Sequence, residues 1–263
     1  MKIRIANGFE SLSDIINLIA CGELPQDAVC IYPGRRNQLY RFATPMGDMV
    51  VKRFGNPSLI NSLVYTNLRK SKAERSFYNS LHLQRLGIGV PQPVAYGEQR
   101  VNGRLHESFY LCRAVKGDTI RFYEMRPDCD SMLAALARDM LRFHLLGVLH
   151  KDFSPGNVLV ERTDSGEYRF NYVDLNRMAF DVYEPEKQLE MFSRINYSEM
   201  HTLRLARAYA TQTDFSGLFP LLRPDTLRFG SEERILSGAS HGFFHFWQRK
   251  ARLHRLKHFL LHR

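Results

Sequence analysis

His150-Lys151-Asp152-Phe153-Ser154-Pro155-Gly156-Asn157-Val158-Leu159-Val160 is the stretch on which the fold turns. Upstream of it, Leu133, Leu136, Ala137, Met140 and Leu141 recur at helical spacing and predict an amphipathic helix over about Ser131–Leu146. Downstream, Val158–Glu161 and Tyr168–Asp174 predict two short strands joined by a turn at Asp164-Ser165-Gly166. The second strand runs into Tyr172-Val173-Asp174-Leu175-Asn176. A carboxylate and an amide therefore share one short loop between helix and strand, and a second carboxylate arrives at the end of the following hairpin.

That set suits transfer of a phosphoryl group from ATP. Such a reaction needs a carboxylate to orient the attacking hydroxyl and accept its proton, and hard oxygen ligands for the magnesium that neutralises the triphosphate. Asp152 is the candidate base, and Asn157 and Asp174 are the candidate metal ligands. The competing explanation is a polar turn in which Asp152 and Asn157 only satisfy backbone amides. His150 reads as a scaffold residue of the loop rather than a catalytic base.

Further outward, the N-terminal half is rich in strands. Lys2–Ala6 predicts a strand and Ser11–Ala20 a helix capped by Ser11, followed by strands at Ala28–Tyr32, Gln38–Thr44 and Asp48–Phe54. Pro45-Met46-Gly47-Asp48 separates the last two as a hairpin turn. A helical stretch from Leu59 to Leu86 ends on Gly87, and strands follow at Val94–Gln99 and Glu107–Ala114 around an Asn102-Gly103 turn. Beyond about Pro185 the chain reads as mostly helical. Strands first and helices later predict an α+β chain in two parts, 1–114 and 115–263.

Composition excludes several classes. The chain has 263 residues, 44% of them hydrophobic, and can fill a core. Cys21, Cys30, Cys112 and Cys129 form no C-x-x-C pair and are too few for a disulfide framework, so they read as reduced thiols in a cytoplasmic setting. The first residues lack an uninterrupted apolar segment of signal-peptide type, and no apolar run is long enough to span a bilayer. The formal charge of +10 favours an anionic partner: nucleic acid, anionic lipid or a phosphorylated substrate. Between His241 and Arg263 there are six Lys or Arg, five His and no acidic residue, interleaved with Phe, Trp and Leu. A basic amphipathic tail of this kind suits an anionic membrane surface, although a helix packed on the rest of the chain or an RNA-binding tail would read the same way.

H-K-D-F-S-P-G-N and D-L-N resemble the catalytic loop and metal-binding loop of the protein-kinase superfamily, H-R-D-x-x-x-x-N and D-F-G. The resemblance implies a bilobal protein-kinase-like fold: an N-lobe with an antiparallel sheet and a helix C, and a mostly helical C-lobe that includes the basic tail. It implies ATP and Mg2+ as cofactors. It also implies a strand-borne lysine on the α- and β-phosphates, which Met49-Val50-Val51-Lys52-Arg53-Phe54 supplies as Lys52. Glu74, on the following helix, is then the expected partner of that lysine. The turn Tyr32-Pro33-Gly34-Arg35-Arg36-Asn37 occupies the place of the phosphate-cradling loop, with Gly34 and Arg35 as candidate contacts, although it holds one glycine where protein kinases have three.

No A-P-E follows Asp174, and Ser154 stands where Ser/Thr kinases carry a lysine. These departures point away from a protein kinase. The chain is more similar to the lipopolysaccharide kinase family, which includes kinases of Kdo and of core heptose. Lys52, the segment Lys72–Gly97 with Gly87-Ile88-Gly89-Val90-Pro91-Gln92-Pro93, the His150–Asn157 loop and Asp174 carry that likeness. It implies a sugar or glycolipid acceptor at the cytoplasmic face of the inner membrane, with peripheral membrane association. The rival readings are a RIO-like kinase near nucleic acid, a small-molecule kinase, and a kinase-fold protein that binds without transferring phosphate.

Overall fold

The computed structural model describes residues 1–34, 37–55, 70–102, 104–195 and 198–215. The described residues form two compact units, one drawn from 1–120 with 156–178, the other from 121–155 with 179–215. The expected division at 114/115 differs from this, because the segment carrying Asn157 and Asp174 folds back onto the N-terminal unit.

The first unit is built on a six-stranded antiparallel sheet: β1 (Lys2–Ile5), β2 (Val29–Pro33), β3 (Asn37–Phe42), β4 (Met49–Phe54), β5 (Pro93–Val101) and β6 (Arg104–Arg113), in the order β1-β5-β6-β4-β3-β2. The period-2 alternation of β4 decides which side chain faces which layer. Met49 and Val51 enter a core with Phe9, Leu12, Ile16 and Ile19, the last two on α1 (Ser13–Ala20). Lys52 and Phe54 point to the other face, where Phe54 packs with Ala73, Phe77, Tyr96 and Tyr110. The hairpin before β4 closes as expected, with reciprocal bonds between Thr44 and Gly47 and Gly47 at φ 98°.

Ser11 is not a helix cap. A 3-10 turn over Glu10–Leu12 precedes α1 and takes Ser11 inside the helical path, and its hydroxyl donates to the Met46 sulfur at 3.4 Å. Helix α2 (Lys72–Arg85) is bounded by strong local signals. The Ser71 side chain accepts from the Glu74 amide at 3.0 Å. At the other end Gly87 (φ 69°) donates to the Gln84 carbonyl and Ile88 to that of Leu83, both at 2.9 Å, which is a Schellman close. The earlier start expected for this helix, at Leu59, lies outside the described residues.

A three-stranded sheet completes the unit: β7 (Asp118–Thr119), β9 (Val158–Arg162) and β10 (Tyr168–Tyr172), in the order β10-β9-β7. Its attachment to the loop after α2 depends on a glycine. The Gly89 carbonyl accepts from the Tyr172 amide at 2.9 Å, and a Cβ at Gly89 would collide with the Phe170 carbonyl oxygen.

The second unit holds α3 (Cys129–Leu145), the short strand β8 (Leu149–His150), α4 (Pro185–Gln188) and α5 (Glu199–Phe215). Helix α3 buries Met132, Leu133, Leu136, Met140 and Phe143 and packs against α5, which buries Leu205 and Tyr209. His144 is buried here, its Nδ1 at 2.6 Å from the Tyr209 hydroxyl. Burial pushes its pKa down from 6.5 to about 4. The folded pKa lies below the unfolded one, so this contribution is complete above pH 6.5 and is lost as pH falls toward 4. It amounts to about 3 kcal/mol. The melting temperature should fall between pH 6.5 and 4, and His144→Gln should flatten that slope. An equally steep slope in the variant would remove His144 as the cause.

All four cysteines are free, Cys21 and Cys30 exposed, Cys112 and Cys129 buried. Among the described residues no helix is long and apolar enough to cross a membrane. The basic stretch His241–Arg263 lies outside them.

Candidate active site

The first unit brings Lys52 and Asp174 together. Lys52 Nζ donates to Asp174 Oδ1 at 2.5 Å, and the same oxygen accepts from Asn176 Nδ2 at 2.5 Å. The two side chains are 14% and 24% exposed, so the pair is largely withdrawn from solvent. Asp174 adopts left-handed backbone angles, φ 57° and ψ 46°. A residue other than glycine held there costs on the order of 1 kcal/mol, and such positions gather at functional sites. The surroundings fix it from both sides. Before it, the Val173 amide donates to the Asn157 carbonyl at 3.0 Å. After it, Asn79 Nδ2 on α2 donates to the Leu175 carbonyl at 2.6 Å, and a 3-10 turn over Leu175–Arg177 follows.

Asn157 closes the 3-10 turn Pro155–Asn157 at the entry to β9. Its backbone bond to Val173 ties the Asn157 turn to the segment that carries Asp174. The donor set fits magnesium: a carboxylate and a side-chain amide oxygen on two adjoining segments are hard ligands that leave room for water and phosphate oxygens.

Asp152 belongs to the second unit. Its amide donates to His150 Nδ1 at 3.1 Å, and its carbonyl accepts from the Ser154 amide at 2.8 Å. An imidazole nitrogen that accepts carries no proton, so His150 is held as the neutral Nε2–H tautomer. The ring is fully buried and lies against Phe153. His150 is thus placed to brace the loop, as expected, and the Asp152 side chain is only partly buried.

Glu74 does not meet Lys52. Its Oε1 lies 3.4 Å from Lys2 Nζ on β1. Helix phase is the reason. Ala73 and Phe77 form the stripe buried on the sheet, and residues on either side of that stripe project to opposite flanks. Glu74 and Tyr78 face the edge formed by β1 and Tyr96, with the Tyr78 and Tyr96 rings 5.9 Å apart. Asn79 lies on the flank of Asp174. Lys2 is held among Glu74, Tyr96 and Glu98, and its pKa is raised overall; burial is the largest effect and opposes the shift, while the hydrogen bond to Tyr96 and the nearby negative charges outweigh it.

Gly34 sits at the end of β2, where a Cβ would strike the Tyr32 ring and approach the Asn37 carbonyl oxygen to 2.7 Å, so the turn admits only glycine without rearrangement. Arg35 lies outside the described residues. Sequence reasoning missed Asn79 and Asn176. Asn176 had a visible signal in the third position of D-L-N; Asn79 had none, since only packing brings α2 to Leu175.

Residues 53–215, more than half of the chain, match the model of the lipopolysaccharide kinase (Kdo/WaaP) family. A curated relative, the 3-deoxy-D-manno-octulosonic acid kinase of Vibrio cholerae, is 25% identical over 103 residues, 38% of this chain and 43% of that protein. The match therefore spans under half the length of the curated relative. Among solved structures, WaaP in complex with acyl carrier protein is similar at a TM-score of 0.59 and 18% identity, over 96% of this chain and 98% of that one. An aminoglycoside-3'-phosphotransferase of type VIII is similar at a TM-score of 0.54 and 14% identity, over 77% and 92%. These likenesses are of fold: the chain is α+β and protein-kinase-like.

Proposed function

The chain belongs to the lipopolysaccharide kinase (Kdo/WaaP) family, a family of phosphotransferases, and from that premise we propose that it transfers the γ-phosphoryl group of ATP to a sugar hydroxyl of a glycolipid. The acceptor we infer is the inner core of lipopolysaccharide, at Kdo or heptose. The observation that supports this most is the Lys52–Asp174–Asn176 junction, tied through Val173 to Asn157. An ammonium largely withdrawn from solvent, beside oxygen donors suited to magnesium, is what a nucleotide triphosphate requires.

In this reading Lys52 holds the α- and β-phosphates, and the turn that begins at Gly34 covers them. Asp174 and Asn157 would hold magnesium, which supplies positive charge against the triphosphate. Asp152 orients the acceptor hydroxyl and takes its proton as the oxygen attacks the γ-phosphorus. The bond from that phosphorus to the β–γ bridging oxygen breaks, and ADP leaves. Such an acceptor would bring the chain to the cytoplasmic face of the membrane that carries the glycolipid.

The test is incorporation of label from radiolabelled ATP, with magnesium, into purified Kdo-terminated and heptose-extended lipid A by the full chain. Label in one acceptor above a chain-free control is expected. No incorporation into either acceptor would overturn the assignment.

A further inference from the structure

The flank of α2 that Asn79 marks carries a second cation. Residues three and seven apart return to nearly the same face of an α-helix, so Lys72, Arg75 and Asn79 share a stripe. Asn79 fixes its direction through the 2.6 Å bond to the Leu175 carbonyl. Lys72, two turns toward the helix start, lies in the electrostatic field of Asp174, Lys52, Arg177 and Arg75.

Asp174 Oδ1, the acidic group nearest in that field, already accepts from Lys52 and Asn176. The Lys72 ammonium has no hydrogen bond or ion pair among the described residues. Its position is unfavourable on three counts. It is half-buried, it is surrounded by like charge, and it opens a helix whose first turn favours acids over bases. Burial is the largest cause of its lowered pKa; Lys52, Arg177 and Arg75 add to it, and Asp174 only partly offsets them. A half-buried ammonium kept without a partner on the flank that meets the Asp174 segment calls for an anion, and Asp174 is already engaged by Lys52 and Asn176.

We propose that Lys72 is a phosphate-binding residue, its ammonium contacting nucleotide phosphate oxygens beside those held by Lys52. The assignment rests on the kinase reading and adds to it a contact from the helix flank that faces Asp174, on the side away from Glu74.

The test is calorimetric titration of the full chain with Mg·ADP and with a magnesium-bound, non-hydrolysable ATP analogue, using wild type, Lys72→Met and Lys72→Arg, together with nucleotide-free melting. Lys72→Met is expected to weaken binding by about tenfold or more, as loss of a charged hydrogen bond does. Lys72→Arg should stay within about threefold, since it keeps the charge. A loss confined to the analogue places Lys72 on the terminal phosphate, and an equal loss on both places it on the inner ones. The nucleotide-free melting temperature of Lys72→Met should hold or rise, because like-charge repulsion is removed. Wild-type affinity in Lys72→Met would overturn the assignment, and a lowered nucleotide-free melting temperature would make the lysine structural. Failure of the wild-type chain to bind either nucleotide would strike the kinase reading itself.

Discussion

Asp152→Asn is expected to slow phosphate transfer by about two to four orders of magnitude, the range a positioned general base contributes, while Mg·ATP affinity stays within about threefold of wild type. The substitution is close to isosteric. The bonds seen to shape the loop at this residue, to His150 Nδ1 and from Ser154, come from the Asp152 backbone and survive the change. Asn lacks the charge to accept a proton from the acceptor hydroxyl, so the loss should appear in kcat. Single-turnover kinetics with the glycolipid acceptor would measure it, and equilibrium titration would check that nucleotide still binds. A variant that transfers phosphate at the wild-type rate would leave Asp152 as a loop residue only.

Lys52→Met should cost about two to three orders of magnitude in kcat/KM, comparable to removing one preorganised donor from a developing anion. Two effects combine. The triphosphate loses its strand-borne cation. Asp174 loses a 2.5 Å partner while held in left-handed backbone geometry, so its carboxylate is less well fixed for magnesium. Methionine keeps the apolar length that lies beside Phe54 on the same face of β4. A fall in melting temperature should accompany the kinetic loss, because the pair is largely withdrawn from solvent and Asp174 loses its ion pair with Lys52. Steady-state kinetics in Mg·ATP, with thermal melting in parallel, would separate the two. Unchanged kcat/KM alongside a lowered melting temperature would make the ion pair structural and take Lys52 out of the phosphate site.

Much of the fold was legible because its signals are local. The alternation of β4, the Thr44–Gly47 turn, the Leu133–Leu141 stripe and the Gly87 close each lie within a few residues, and each appears in the structure. Where reading failed, a distant partner decided the outcome. Ser11 lost its capping role to a 3-10 turn, with its hydroxyl on Met46 from the β3–β4 hairpin. The two-residue strands β7 and β8 carry too little sequence to show a period.

The candidate site divides in the same way. The hairpin that returns the Asp174 segment to the Asn157 turn was readable from the chain alone, because such a closure depends on spacing along the backbone. The partner of Glu74, the approach of Asn79 to Leu175 and the crowding of cations at Lys72 were decided only when α2 settled on the sheet. Successive residues on an α-helix project about 100° apart, and burial of Ala73 and Phe77 set the rotation that sent Lys72 and Glu74 to opposite flanks. Spacing places a side chain on its own element, while the packing of one element on another determines which charge it meets.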